Sequence, residues 1–423
     1  MNQLYKHNNS LKSLFSNLSS GSAVAELQQQ VNLDCIDQVL REALSIEDMR
    51  QAGSFFTGDE LATEAVNGFT SDITLASAVL DPTCGAGNLL IACSRKLPVD
   101  KSLTATLEKW GNVLYGYDLY DSFVEATKLR IILEAIHRGA IPDCSLENAA
   151  SLLNNIRVTD ATEITSEELL DITHLIMNPP FSMWEMENSK NWNAGIVNAA
   201  AVIFEHYLDR LPPKCQVSAI LPEVLRSGTR YEKLRHYTSE RLTGSVQLKG
   251  QFNSKTDVDV FTLQGVLTRS NRSIDWRTSG RIAESVLNDY FEVSVGPLVA
   301  YRSPEEGELH PYIHSKNLPQ WEIVEEFTEH RRFTGRVVTP PFVVIRRTSR
   351  PSSKYRALGT IISGNTPIAV ENHLIIIKPR SNTLTDCERL TETLMSENTN
   401  GFLNERIRCR HLTVGAVKEI PYP

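Results

Sequence analysis

The sequence predicts an α/β fold, with a doubly wound parallel sheet up to about residue 275 and a smaller β-rich region beyond it. Three observations carry this. From about residue 73, short apolar runs alternate with longer stretches in which apolar positions recur at helical spacing. A loop of one acid, one proline and two glycines follows the first of those runs, where a strand turns into a helix in such folds. Beyond about residue 285 the alternation stops, and strand-like pieces are separated by loops containing proline and glycine.

The elements follow in order. Residues 1–50 read as a polar helical segment, with helical spacing in Val24-Ala25-Glu26-Leu27 and Ile36-Asp37-Gln38-Val39-Leu40. Strands are expected at Ala78–Leu80, Val113–Tyr115, Ile156–Val158, His174–Met177 and Gln216–Leu221. Helices are expected at Ser122–His137 and Asn198–Leu211. A hairpin is expected from Ser245–Lys249 and Phe261–Leu267. In the last region, Phe342–Ile345 and His373–Ile377 read as strands. The division is therefore a helical segment over 1–50, a sheet domain over 51–275 and a β-rich domain over 285–423.

Composition narrows the function classes. The 423 residues exceed one ordinary domain, and 41% apolar with 22% charged residues describes a globular protein. No run of about 18 apolar residues occurs, so no membrane partner is expected, and residues 1–20 lack the apolar core of a secretion signal. The seven cysteines form no Cys-x-x-Cys pair, which argues against both a disulfide framework and a zinc site and suits a reducing cytoplasm. No metal is expected. The net charge of −8 does not mark a nucleic-acid binder, so such a role needs locally segregated charge.

Two short segments carry the chemistry. Asp81-Pro82-Thr83-Cys84-Gly85-Ala86-Gly87-Asn88 ends the first strand. Its glycines let the backbone approach a ligand, it lacks the Gly-Lys-Ser/Thr of a phosphate loop, and the Asp81 carboxylate repels phosphate. A ligand with a cationic group suits it, and S-adenosylmethionine carries an ammonium and a sulfonium. Asp118 ends the second strand, where an acid takes ribose hydroxyls in doubly wound folds. It lies farther along the chain than the usual spacing of about 20 residues. Asp160 ends the third strand and suits either the amine of the cofactor's adenine or a helix N-cap. The second segment, Asn178-Pro179-Pro180-Phe181, follows the strand His174–Met177. It presents an amide, a rigid carbonyl and a flat ring, tools for holding a planar amine. The plainer reading is a proline-punctuated turn.

Together, and in this order, Phe55-Phe56-Thr57, Asp81–Gly87, Asp118, Asp160 and Asn178–Phe181 resemble the γ group of amino-N6-adenine DNA methyltransferases. That group includes type I modification subunits and many type II enzymes. The resemblance covers roughly residues 50–270, and Gly58 departs from it where a proline is usual. It implies a Rossmann-like methyltransferase sheet that holds S-adenosylmethionine with Phe56, Thr57, Asp81, Thr83, Gly85, Gly87, Asn88, Asp118, Asp160, Ala161 and Asn178. It implies that Asn178 and the Pro179 carbonyl grip the N6 amine of a flipped adenine beside Pro180, and that Phe181 stacks on the base, offsetting part of an unstacking cost of roughly a few kcal/mol. Phe252, in Gly250-Gln251-Phe252, matches the second stacking ring and reads equally as a core residue. Glu223 and Arg226 line the site or form a surface ion pair.

Between His330 and Leu358 the chain carries Arg331, Arg332, Arg336, Arg346, Arg347, Arg350, Lys354 and Arg356 with no acid; Arg406, Arg408, Arg410 and His411 form a second group. Arginines on loops suit phosphate contact and guanine readout. The alternative is a solvated basic face. By resemblance this region is the DNA target-recognition domain, and double-stranded DNA is the expected partner. Arg331, Arg332, Arg346, Arg347, Arg350, Lys354 and Arg356 are the expected contacts. A monomer in a prokaryotic cytoplasm is expected, with a cognate restriction nuclease or a specificity subunit as further partners. Rival readings are a type I modification subunit that borrows its specificity, a methyltransferase of RNA bases or protein amides, and a non-catalytic DNA-binding module.

Overall fold

A computed structural model describes residues 2–18, 24–35, 57–253, 256–268, 274–276 and 284–423. The chain forms two compact units. The first comprises Met1–Arg226, Arg230–Lys249 and Val260–Trp276, and the second Ser227–Thr229, Gly250–Asp259 and Arg277–Pro423.

The first unit is built on a seven-stranded sheet. Its strands are β1 (Val79–Asp81), β2 (Leu114–Asp118), β3 (Ile156–Val158), β4 (His174–Met177), β7 (Gln216–Pro222), β8 (Leu242–Asn253) and β9 (Thr256–Leu267), in the order β3-β2-β1-β4-β7-β9-β8. The five strands from β3 to β7 run parallel, and β9 joins β7 antiparallel. The order reverses between β1 and β4, the switch point outside which doubly wound sheets bind ligands. Every residue of β1 and β4 is buried, because helices cover both faces of a parallel sheet.

Strand β2 gives way to the helix Asp121–His137, and β7 runs directly into the helix Glu223–Ser227. Asn198 accepts from the Ala200 amide and opens the helix Ala199–Arg210. Between β4 and that helix the chain makes a hairpin absent from the sequence reading, β5 (Met183–Met186) against β6 (Gly195–Asn198). The helices Asn2–Leu18 and Val24–Val31 pack on the helix Asp121–His137. The Asn8 side chain fixes the first of them by donating to the Ser122 carbonyl at 2.9 Å. The expected helical positions Ile36–Leu40 lie outside the described residues.

The second unit holds a five-stranded sheet in the order β10 (Phe291–Val295), β17 (Leu374–Pro379), β14 (Phe342–Arg346), β15 (Gly359–Ile362), β12 (Ile323–Val324). A three-stranded sheet runs β13 (His330–Phe333), β11 (Glu308–Ile313), β16 (Ala369–Val370). The continuous run Leu374-Ile375-Ile376-Ile377 is explained by two cores. Ile375 and Ile377 face the helices Leu384–Met395 and Glu397–Arg406, while Leu374 and Ile376 join Phe342, Val344 and Ile362 on the other side.

Candidate active site

The ends of β1, β2, β3 and β4 surround a pocket of about 850 Å³, counted out to its open mouth. Asp81 closes β1 and is 1% exposed. Its Oδ1 accepts from the Thr83 amide at 3.1 Å. The turn that follows is shaped by Gly85 and Gly87, both at positive φ. Gly87, at φ 86, caps the helix Asn88–Ser94, and a Cβ there would lie 2.8 Å from Thr127 Cγ2. Asp118 closes β2, takes the Gly85 amide on Oδ2 at 3.1 Å and the Tyr120 amide on Oδ1 at 2.9 Å. Asp160 follows β3 and accepts from both the amide and the hydroxyl of Thr162 on Oδ1. It therefore does cap a turn, and it lines the pocket as well.

Electrostatics distinguish this pocket from a phosphate site. Among the described residues its lining includes three carboxylates, Asp81, Asp118 and Asp160, and no lysine, arginine or histidine. Burial pushes Asp81 up to about 8, with a small further push from Asp118, against the pull of the Thr83 amide. Burial likewise pushes Asp118 up to about 6, opposed by the Tyr120 and Gly85 amides. Buried carboxylates held above their ordinary range favour a ligand that brings positive charge. A sulfonium with an ammonium and ribose hydroxyls fits that donor set, and a phosphate does not.

Asn178 stands at the end of β4, half-buried, and its Nδ2 donates to Thr57 Oγ1 at 3.0 Å. Thr57, Thr83, Gly85, Asn88, Ala161 and Pro180 join it around the same pocket. Pro179 is buried, and Phe181 is half-buried against the core beneath the sheet, its carbonyl taking the Asn198 side-chain amide at 3.1 Å. Asn88 is 4% exposed and busy in the framework. Its Nδ2 donates to Leu33 O and Thr57 O at 2.8 and 2.6 Å. Phe56 and the Phe252 side chain lie outside the described residues.

Gly58, which stands where the resemblance has proline, leaves room for an acid. A Cβ there would sit 2.7 Å from Asp34 Oδ1, which accepts from the Asp59 amide at 3.0 Å and so caps the helix Asp59–Asn67. Glu223 and Arg226 form a buried, two-pronged ion pair, 2% and 1% exposed, rather than a surface one. The pocket also uses Trp184, Tyr120 and Phe123, which the sequence reading passed over. Tyr120 and Phe123 meet edge to face at 6.0 Å. An aromatic two positions beyond Asp118 was their only trace in the sequence.

The expected DNA contacts divide. Arg356 is fully buried and is corrected here to a structural residue. Its guanidinium donates to Ser349 Oγ, Asn404 Oδ1, Ile407 O and Cys409 O at 3.1, 2.8, 3.1 and 2.9 Å. Arg331 and Arg332 sit on β13, not on a loop, and Arg331 donates to Ala300 O and Ser303 O. Arg346 ends β14 in the other sheet. Arg350 and Lys354 are exposed. The bridge Thr348↔His411 and the bond from Ser349 N to Arg410 O bring the second basic group beside Arg347. Partial burial and the neighbouring Arg347, His373 and Arg410 hold His411 below its ordinary value, as expected where cations gather. Among the described residues no helix is long and apolar enough to cross a membrane, and no cluster of histidine, cysteine or acid could hold a metal.

No curated protein matches the chain significantly. Solved structures do. MmeI, a type IIL restriction-modification enzyme solved with DNA, is 10% identical with a TM-score of 0.54, over 92% of this chain and 70% of its own. BpuSI, a type IIG restriction endonuclease, is 11% identical with a TM-score of 0.44, over 92% and 60%. The type I restriction-modification methyltransferase subunit from Streptococcus thermophilus is 17% identical with a TM-score of 0.39, over 57% and 49%. The chain thus spans less than two thirds of the latter two, and at 10% identity the likeness to MmeI is one of fold alone. The sheet order, the acid-lined pocket and the amide at its rim belong to a segment that matches a family as a whole: over residues 35–271, more than half its length, the chain matches N-6 DNA Methylase, and it belongs to that family.

Proposed function

We propose that this chain is an S-adenosylmethionine-dependent DNA adenine-N6 methyltransferase of a restriction-modification or related system. One observation carries the reading: Asn178 and the three-carboxylate pocket share a single cavity at the β1/β4 switch point. Asp81 faces the donor's positive charge, Asp118 its ribose hydroxyls, and Asp160 with Ala161 its adenine amine. When bound, the cofactor supplies an electrophilic methyl on sulfur.

The rest is done by this chain. Asn178 Oδ1 and the Pro179 carbonyl accept hydrogen bonds from the two N–H groups of the target amine. That raises electron density on the amine nitrogen and aims its lone pair at the methyl. No strong base is needed, since the leaving thioether is neutral and the proton departs after transfer. Phe181 supplies a stacking face for the extruded base. The partly exposed basic residues of the second unit, with Arg347, Arg350 and Lys354 among them, contact phosphates. Unlike Arg356, they are within reach of a polymer.

Purified protein given isotope-labelled cofactor and mixed genomic DNA should place label on N6-methyladenine. Label confined to RNA or protein would refute the assignment. Methylation-sensitive sequencing of a host expressing the chain would give the target site.

A further inference from the structure

Arg130 is fully buried in the helix Asp121–His137, outside the pocket lining. An arginine in that position needs acceptors for its donors, and it finds them in two remote segments. Nη1 donates to Ala86 O at 2.5 Å, inside the glycine turn, and to Asn88 Oδ1 at 2.6 Å. Nε and Nη2 lie 3.4 and 3.5 Å from Gln30 O and Asn32 O. Gln30 belongs to the last turn of the helix Val24–Val31, where carbonyls lack partners within the helix and cations are favoured. Burial lowers the Arg130 guanidinium to about 10, partly offset by Glu134, so it stays charged near neutrality.

The contacts continue to the amide at the pocket rim. With its oxygen on Arg130, Asn88 is turned so that Nδ2 reaches Thr57 O at 2.6 Å. Thr57 in turn presents Oγ1 to Asn178 Nδ2 at 3.0 Å. One buried cation thereby ties the turn that shapes the donor pocket to the side chain that grips the acceptor. We infer that Arg130 is a positioning residue for methyl transfer, acting on the cofactor turn through Ala86 and on Asn178 through Asn88 and Thr57. The inference rests on reading the pocket as the methyl-donor site.

The two arms separate experimentally. In Arg130→Lys the charge stays but the forked reach to Ala86 and Asn88 is lost. Cofactor affinity, read by calorimetry with S-adenosylmethionine, should fall about tenfold, and kcat at saturating cofactor should fall by a similar or larger factor. In Thr57→Val only the hydroxyl link to Asn178 is cut. Thr57 also lines the pocket, so kcat is read at saturating cofactor, where it should drop, and Thr57→Ser should restore it. In the double variant Arg130→Lys/Thr57→Val the kcat loss should not exceed that of Thr57→Val alone, because the route to Asn178 is already broken. Losses that multiply, or a folded Arg130→Lys protein with wild-type affinity and kcat, would overturn the inference. If Arg130→Lys loses its melting transition, Asn88→Asp, which keeps an acceptor for Arg130 and deletes the donor to Thr57, takes its place in the same cycle. A wild-type protein that does not bind S-adenosylmethionine would instead refute the donor-pocket reading itself.

Discussion

Asp118 Oδ2 accepts the Gly85 amide at 3.1 Å, so the acid that ends β2 fixes the glycine turn that follows β1. The carboxylate thus shapes the turn, and in the proposed function it also takes the ligand's hydroxyls. Asp118→Asn keeps an acceptor near Gly85 and removes the charge, whereas Asp118→Ala strands the Gly85 and Tyr120 amides. Asp118→Ala should lower stability by about 1–3 kcal/mol and Asp118→Asn by less. Both should weaken cofactor binding. Thermal melts paired with titration calorimetry separate the effects, and equal melts for the two variants would deny Asp118 its part in shaping the turn.

Asp81 gives a pH prediction whose sign is fixed by its direction of shift. Burial raises it from 3.8 unfolded to about 8 folded. Between those values the folded chain keeps a proton that the unfolded chain has released. Its contribution therefore makes the free protein less stable as pH rises through that window, by up to about 1.4 kcal/mol per pH unit. A cationic ligand favours the ionised carboxylate, so binding should release protons and tighten from pH 6 to 8. Calorimetry in buffers of different ionisation enthalpy counts those protons. Affinity that is flat across that range would remove Asp81 from contact with the ligand's charge.

Much of this site was legible because it lies at strand ends. Asp81–Gly87 and Asn178–Phe181 are contiguous, and the backbone demands of a strand-to-helix turn are local. What stayed hidden depends on distant partners. Arg356 reads as one more arginine in a basic stretch, and only the carbonyls of Ile407 and Cys409 and the amide of Asn404, some fifty positions later, make it a buried clamp. Arg130 reads as one polar position in a helix, and only the carbonyls of Ala86, Gln30 and Asn32, far back along the chain, make it a buried donor. Trp184 belongs to a short hairpin with exposed outer residues, which leaves little apolar pattern to find.

Asn178→Ala should abolish turnover while leaving cofactor affinity within a few-fold of wild type, since the proposed function sets Asp81 and Asp118 toward the donor and Asn178 toward the acceptor. Asn178→Asp should retain measurable activity, because a carboxylate oxygen still accepts from an amine. Single-turnover methylation of an oligonucleotide carrying the target site is the measurement. Full activity in Asn178→Ala would mean that the amine is held elsewhere.

The basic residues of the second unit fall into two kinds, and salt dependence tells them apart. Arg346 and Arg347 are half-buried, and Arg347 lies beside Arg410 and His411. Pairing with a phosphate releases counterions, so Arg346→Ala/Arg347→Ala should weaken DNA binding and reduce the slope of log affinity against log salt by about 1 for each phosphate left without its arginine. Arg410→Ala should act in the same direction, as the strand bridge places it in the same cluster. Arg356→Met should behave differently. Its partners Asn404, Ile407 and Cys409 lose this donor, and for the buried Ile407 carbonyl the loss costs about 1–3 kcal/mol. The melting temperature should therefore drop, while the salt slope of the fraction that remains folded stays at its wild-type value. A reduced slope in Arg356→Met, with melting unchanged, would return Arg356 to the DNA surface.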